Sequence, residues 1–276
     1  MSTPAPTAFE RDTSARTGRV GRVAAMSRAE MLLLWRNKTA MFTALALPLV
    51  MVAVWFTLGV EEEVADGTAA FLLTTLLGFV LLFVVYYNLV TAYVARREEL
   101  VLKRLRTSEA AEADVLLATA VPALALALAQ VLIGIAAVAA LLDLGAPVNP
   151  VLLAAGVLGG AAAFVPLAAV STAFTRNVEM AQITTMPVLI VSLLFSGLTF
   201  PVDTLPDTAA AAARLLPLTP VVELFQLGLN GAVGSAAPVG FTATFAEAAV
   251  PLGVLAAWLL VGVYSIRRWF RWEPRV

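Results

Sequence analysis

The residues with the most chemistry in this chain are crowded into one stretch. Val94–Glu109, VARREELVLKRLRTSE, holds five Lys/Arg and three Glu in sixteen residues, in a protein of which only 13% is charged. Charge of both signs at that density makes ion pairs rather than covalent chemistry. On a helix, at 100° per residue, Val94, Val101, Leu102 and Leu105 share one side and Arg96, Arg97, Lys103 and Arg104 the other. Glu99 and Lys103 stand at i,i+4 in the favourable order. Thr107-Ser108 then breaks the helix. Ser108 is a candidate N-cap, and Glu109, Glu112 and Asp114 occupy the opening turns of the next helix, where the helix dipole favours acids. Two readings stand. The basic residues anchor to anionic lipid, at about 1 kcal/mol each, or the stretch is a stiff handle for a soluble partner. The Glu98-Glu99 pair favours the handle, because lipid anchoring needs no acids. So does the length, because a plain connection needs only a few residues.

Other chemistry is excluded by composition. The chain has neither His nor Cys. That removes the commonest metal ligand and general base, every thiolate, and every disulfide. No GxxxxGK[ST] occurs, so the chain carries no phosphate-binding loop of its own. Sixty-one per cent of its 276 residues are hydrophobic, and the mean hydropathy is +0.90, values of a membrane protein.

The elements that must position the charged stretch follow from the cost of burying charge in lipid. One central charge costs about 2.5–3.5 kcal/mol on the insertion scale, while a Leu or Val returns about 0.3–0.6. Uncharged runs therefore mark spans. Seven occur: 39–60, 67–95, 115–142, 144–175, 180–202, 224–246 and 248–266. The run 224–246 contains Asn230-Gly231, Gly234-Ser235, Pro238 and Gly240, which is turn chemistry. Counting it as a span would also put Arg267, Arg268, Arg271 and Arg275 outside. With six spans and both ends cytoplasmic, only Arg214 of the 18 Lys/Arg lies outside, in accord with the positive-inside rule.

The expected fold is therefore an all-α polytopic membrane protein with six transmembrane helices, at about 40–60, 69–94, 115–142, 151–175, 180–200 and 248–267. Residues 1–20 form a disordered cytoplasmic tail, and 21–38 an amphipathic interfacial helix. The segment 95–113 protrudes into the cytoplasm, 201–246 forms an outer segment of short helices lying in or dipping into the outer leaflet, and 269–276 is a cytoplasmic tail. The six spans, 39–268, make one transmembrane domain.

Two helix faces stand out within the spans. In the fifth, Gln182, Thr185, Leu189, Ser192, Ser196 and Thr199 fall on one side. In the second, Phe79, Phe83 and Tyr87 form an aromatic stripe ending at Asn88. Either face serves helix packing, a dimer seam or a path lining. Gly156 and Gly160 form GxxxG, for which close helix packing is the default. Glu223 is the only acid inside the apolar part of the outer segment, and capping or pairing with Arg214 is expected for it.

The block YYNLVTAYVARREELVLKRLRTSE (86–109) resembles the second span and coupling region of type-2 ABC transporter permeases. SGLTFPVDTLPDTAAAAARLLPLTPVVELFQ (196–226) resembles their outer segment, and LALPLVMVAV (45–54) their first span. The resemblance covers most of 22–268 and is strongest to actinobacterial drug-exporter permeases of the daunorubicin-resistance type. It implies a dimeric permease, homodimer or heterodimer, in the bacterial plasma membrane, paired with two copies of an ABC ATPase that hold ATP and magnesium. It implies a connecting helix at 21–38 and a coupling helix contacted by the ATPase, with Arg97, Glu98, Glu99, Leu102, Lys103 and Arg104 as coupling residues. It implies that spans two and five line the substrate path, and that a hydrophobic or amphiphilic drug, lipid or natural product is exported. No cofactor on this chain, no enzyme activity of its own and no nucleic-acid partner are expected. The alternatives are a non-transporting membrane scaffold and an ion-coupled secondary transporter. The latter is disfavoured because its midplane ionisable residues are missing from all six expected spans.

Overall fold

A computed structural model describes residues 68–98, 112–142, 145–199 and 201–269, together with part of 21–57. The described residues are all helical or irregular, with no strand among them. Five described helices are long and apolar enough to cross a membrane. They are α1 (Ala69–Glu98), α2 (Asp114–Leu141), α3 (Pro150–Phe174), α4 (Val178–Phe195) and the last one, Thr244–Arg268. The last comprises one helical turn, Thr244–Glu247, and a long helix, Ala249–Trp269. Between α4 and that turn come α5 (Asp207–Ala213) and α6 (Thr219–Asn230); the long helix is α7. The expected span at 40–60 lies outside the described residues apart from scattered helical positions, as do residues 99–111 of the expected coupling segment 95–113.

Helix is the only open-ended structure that satisfies its backbone in lipid, so apolar runs of this length become helices without special propensity. Their ends are set locally. Asn149 caps α3, its Oδ1 accepting from the N–H groups of Val151 (3.0 Å) and Leu152 (3.3 Å), with Pro150 at N1 where no N–H is required. Asn177 caps α4 through the N–H of Met180. Gly231 ends α6 in the left-handed region at φ 70°, with its N–H returning to the Leu227 carbonyl.

The core is organised around α1. From Leu72 to Val90 every residue but four is buried. Its middle, Val80–Tyr87, winds as a π-helix, a wider turn frequent at functional sites. There the Tyr86 hydroxyl meets Ser171 Oγ on α3 at 2.9 Å, and its ring packs edge-on against Phe164.

The outer segment is a hairpin that dips into the bundle. The Trp258 indole N–H donates to the Leu215 carbonyl at 2.8 Å. Trp258 lies nine residues into α7, about 14 Å along the axis at 1.5 Å per residue. On the other side, a Cβ on Gly160 would lie 3.1 Å from Val221 and 2.8 Å from Leu81. Gly156 and Gly160 thus let α6 lie close on α3, which is small-residue packing of the kind their spacing suggests. The chain therefore lies beside α7 at Leu215, about nine residues from that helix's start, and returns along α6 against α3. At the top, Asn149 ties the elements together: its N–H donates to the Gly228 carbonyl and its Nδ2 to Thr244 Oγ1, each at 2.9 Å.

Candidate functional site

The charged end of α1 divides its side chains among three neighbours. Arg96, Arg97 and Glu98 are consecutive, so on a helix they point about 100° apart. Arg96 forms a salt bridge with Glu30, in the helical stretch 23–33. Arg97 turns inward and is only 4% exposed. Its Nη1 donates to the Thr172 carbonyl at 2.9 Å, and its Nη2 to the carbonyls of Thr175 and Arg176, the latter at 2.9 Å. These carbonyls lie where α3 ends, so a cation meets the negative end of a helix dipole. Glu98 makes the complementary contact. Its Oε1 accepts from the N–H of Val178 at 3.1 Å, the first residue of α4, where the dipole favours an acid. One arginine thus holds the end of α3 and the next residue holds the start of α4. One turn earlier the Tyr93 hydroxyl donates to the Leu116 carbonyl on α2 at 3.1 Å.

The charged end of α1 thus touches α2, the end of α3, the start of α4 and the stretch 23–33. Arg97 is buried against the α3–α4 turn. Glu98 is exposed. The other expected coupling residues, Glu99, Leu102, Lys103 and Arg104, lie outside the described residues. Sequence reasoning missed Glu30, whose pairing spans 66 positions, and the carbonyl acceptors of the α3–α4 turn, which no side-chain pattern reveals.

The four exceptions on α1 are Phe79, Phe83, Tyr87 and Asn88. They are the aromatic stripe, at spacings of four, four and one, and the Phe79 and Phe83 rings stack with centroids 5.6 Å apart. This is the one part of the central helix, between Leu72 and Val90, that the rest of the chain leaves partly open. The α4 face is placed differently. Thr185, Leu189, Ser192 and Ser196 are buried, on the side of α4 that packs against α1. Thr185 Oγ1 donates to the Ala181 carbonyl at 2.8 Å, and Ser196 Oγ to the Ser192 carbonyl. Gln182 and Thr199 remain exposed. The opposite side of α4 presents Ile183, Met186, Ile190 and Leu194 outward, as lipid or another apolar surface requires.

Among the described residues no group of three or more His, Cys, Asp or Glu is placed to hold a metal.

The described helices form a bundle with a charged, internally braced end. The profile of the ABC-2 family transporter proteins matches residues 52–264. The chain belongs to that family. No curated protein matches it. As an ABC-2 family protein it is a multi-pass permease subunit of an ABC transporter, a transport subunit that works in the membrane with an ABC ATPase subunit.

Proposed function

We propose that this permease is the membrane part of a dimeric exporter that moves a hydrophobic or amphiphilic drug, lipid or natural product out of a bacterial cell. Two ATPase subunits, each holding ATP and magnesium, grip the 95–113 segment and the helix before the first span. The observation that carries this reading is the division of Arg96, Arg97 and Glu98 among three elements. A handle wired to the end of α3 and the start of α4 is what converts a push from outside the membrane into relative motion of helices. The open stripe of Phe79, Phe83, Tyr87 and Asn88 supports a second protomer, or a flat apolar substrate, against α1. Movement of α4 away from α1 would expose Thr185, Ser192 and Ser196 along the same path. The closest kinship proposed is with daunorubicin-resistance-type exporters.

The test is ATP-dependent accumulation of a fluorescent hydrophobic dye in inside-out vesicles containing the permease and its ATPase partner. Export predicts uptake that needs ATP and is lost on reversing charge at Glu98 and Glu99 with the permease still inserted. Normal uptake in that variant would remove the coupling role. Uptake driven by a proton gradient without ATP would replace the exporter with a secondary transporter.

A further inference from the structure

The end of the bundle opposite Arg96–Glu98 contains a cavity of about 310 Å³, between the start of α1, the turn after α4, and α6. On the positive-inside reading it opens outward. One wall is the polar face of α6, where Glu223, Gln226 and Asn230 follow at spacings of three and four. The rest of α6 is apolar and buried against its neighbours, so this helix presents its polar side to the cavity. The facing wall is Phe71 and Thr74 of α1 with Gly197–Thr199.

Several of the polar groups that line the cavity are already engaged. Thr74 Oγ1 donates to the Ala70 carbonyl at 2.7 Å. Gln226 Oε1 accepts from the Gly234 N–H at 3.3 Å. The Arg214 guanidinium pairs with Asp203 at 3.5 Å, and Asp203 also accepts from Ser235. Arg214 and Asp203 are the charged groups that act on Glu223. The outer halves of α1, α3 and α7 bring no ionisable side chain, and Glu247, on the turn before α7, is exposed. Glu223 is thus a part-buried carboxylate whose nearest cation is already paired with another acid. Val221 and Leu224 flank it and lie against Gly156 of α3, six residues from that helix's start, so the acid sits about 9 Å below the rim. An ionisable group at such depth is costly unless it has a partner.

We propose that this cavity is a binding site for an organic ammonium group, with Glu223 as counter-ion, the Gln226 and Asn230 amides beside it, and Phe71 supplying an aromatic wall for the attached carbons. A cation there adds to the charge that Arg214, shared with Asp203, brings to Glu223, and an aromatic ring adds to its hold. As a release site for exported substrate the cavity rests on the export reading above; as a binding site it does not. Burial pushes the Glu223 carboxyl up to about 7, opposed by Arg214 and assisted by Asp203. The cation therefore competes with a proton: it binds better above that pH and is released below it.

The probe is radiolabelled tetraethylammonium, whose charge does not change with pH, with the full-length permease in phosphatidylcholine nanodiscs and empty nanodiscs subtracted. Binding is expected to be at least about fivefold tighter at about pH 8 than at about pH 5.5, a difference of about 1 kcal/mol. Glu223→Gln should lose that factor and the pH dependence, while Glu247→Gln keeps both. In the unaltered protein, modification of Glu223 by a hydrophobic carbodiimide, read by mass spectrometry, should slow by a similar factor when tetraethylammonium is present. That second measurement holds if Glu223→Gln fails to fold. Displacement of the probe by phosphatidylethanolamine in the nanodisc identifies the natural ligand as a lipid headgroup; retention identifies a free amine. Binding that ignores pH, together with carbodiimide labelling that ignores the probe, overturns the site. ATP-driven transport that fails while binding persists overturns export and leaves the site standing.

Discussion

Removing Arg97 should damage this protein in two separable ways. Its guanidinium reaches three carbonyls at the α3–α4 turn from a position 4% exposed. Hydrogen bonds from charged donors contribute about 1.5–3 kcal/mol net each. Three on one group are not additive, so Arg97→Met should cost about 3–5 kcal/mol, the range for removing one side of a buried ionic contact. At roughly 2–4 °C per kcal/mol for a domain of this size, the melting temperature in detergent should fall by about 10 °C. Arg97→Lys keeps the charge but loses the fork that spans separated carbonyls. It should cost about 1–2 kcal/mol, and the resulting looseness between α1 and α4 should lower transport per ATP hydrolysed by about fivefold. The assay is simultaneous ATP hydrolysis and dye transport in proteoliposomes holding permease and ATPase, with size-exclusion melting as the stability readout. A lysine variant with unchanged transport per ATP, and a methionine variant melting within a degree of the parent, would refute the clamp.

The Arg96–Glu30 pair is about a quarter exposed on each side. A double-mutant cycle should therefore give a coupling of at most about 1 kcal/mol. The charge swap Arg96→Glu with Glu30→Arg should restore any lost ATPase binding seen in co-purification. Because the chain has no Cys, Phe83→Cys is a clean single thiol. It should cross-link to a second copy under mild oxidation, or be shielded from a maleimide by substrate; free labelling under all conditions would remove the stripe from the interface and the path. Ser192→Leu should overpack the α1–α4 contact, where Ser192 is 1% exposed, and destabilise by about 1–3 kcal/mol; unchanged melting would mean that α4 does not lie against α1. Glu223 binds its proton more tightly folded than unfolded, so between its ordinary value and about 7 the folded state holds more protons. Stability should therefore fall as pH rises through that window, and Glu223→Gln should flatten the profile measured by thermal melting.

The spans were legible because lipid makes a single rule dominant: charge is excluded and every backbone group must bond within its own helix. Uncharged runs at 67–95, 115–142 and 144–175 could hardly become anything else. The aromatic stripe was legible as well, since Phe79, Phe83 and Tyr87 keep helical spacing and are large enough that their common direction matters. On α4 the period of Thr185, Ser192 and Ser196 was readable but not what it faced. Small hydroxyl groups satisfy themselves on the preceding turn, as Thr185 does on Ala181, so they sit equally well against a neighbour, a partner or a path. The role of Arg97 was not legible. Its acceptors lie 75 to 79 positions away, and carbonyls leave no mark in a sequence. In a run of charges an arginine reads as surface; only the fold shows that one of the pair at 96–97 turns inward. The dipping hairpin was half legible: its apolar residues demanded cover, but its depth depended on Gly156 and Gly160 meeting Val221.

The central claim is that an ATPase drives this permease through the charged end of α1. A photo-activatable amino acid placed at Leu102 or Lys103 in the native host, irradiated and analysed by mass spectrometry, tests it most directly. The account predicts a single covalent product with a soluble subunit carrying GxxxxGK[ST], lost when charge is reversed at Glu98 and Glu99. Cross-links to lipid alone, with the ATPase absent from the stoichiometric complex, would contradict it and leave the stretch as a membrane anchor.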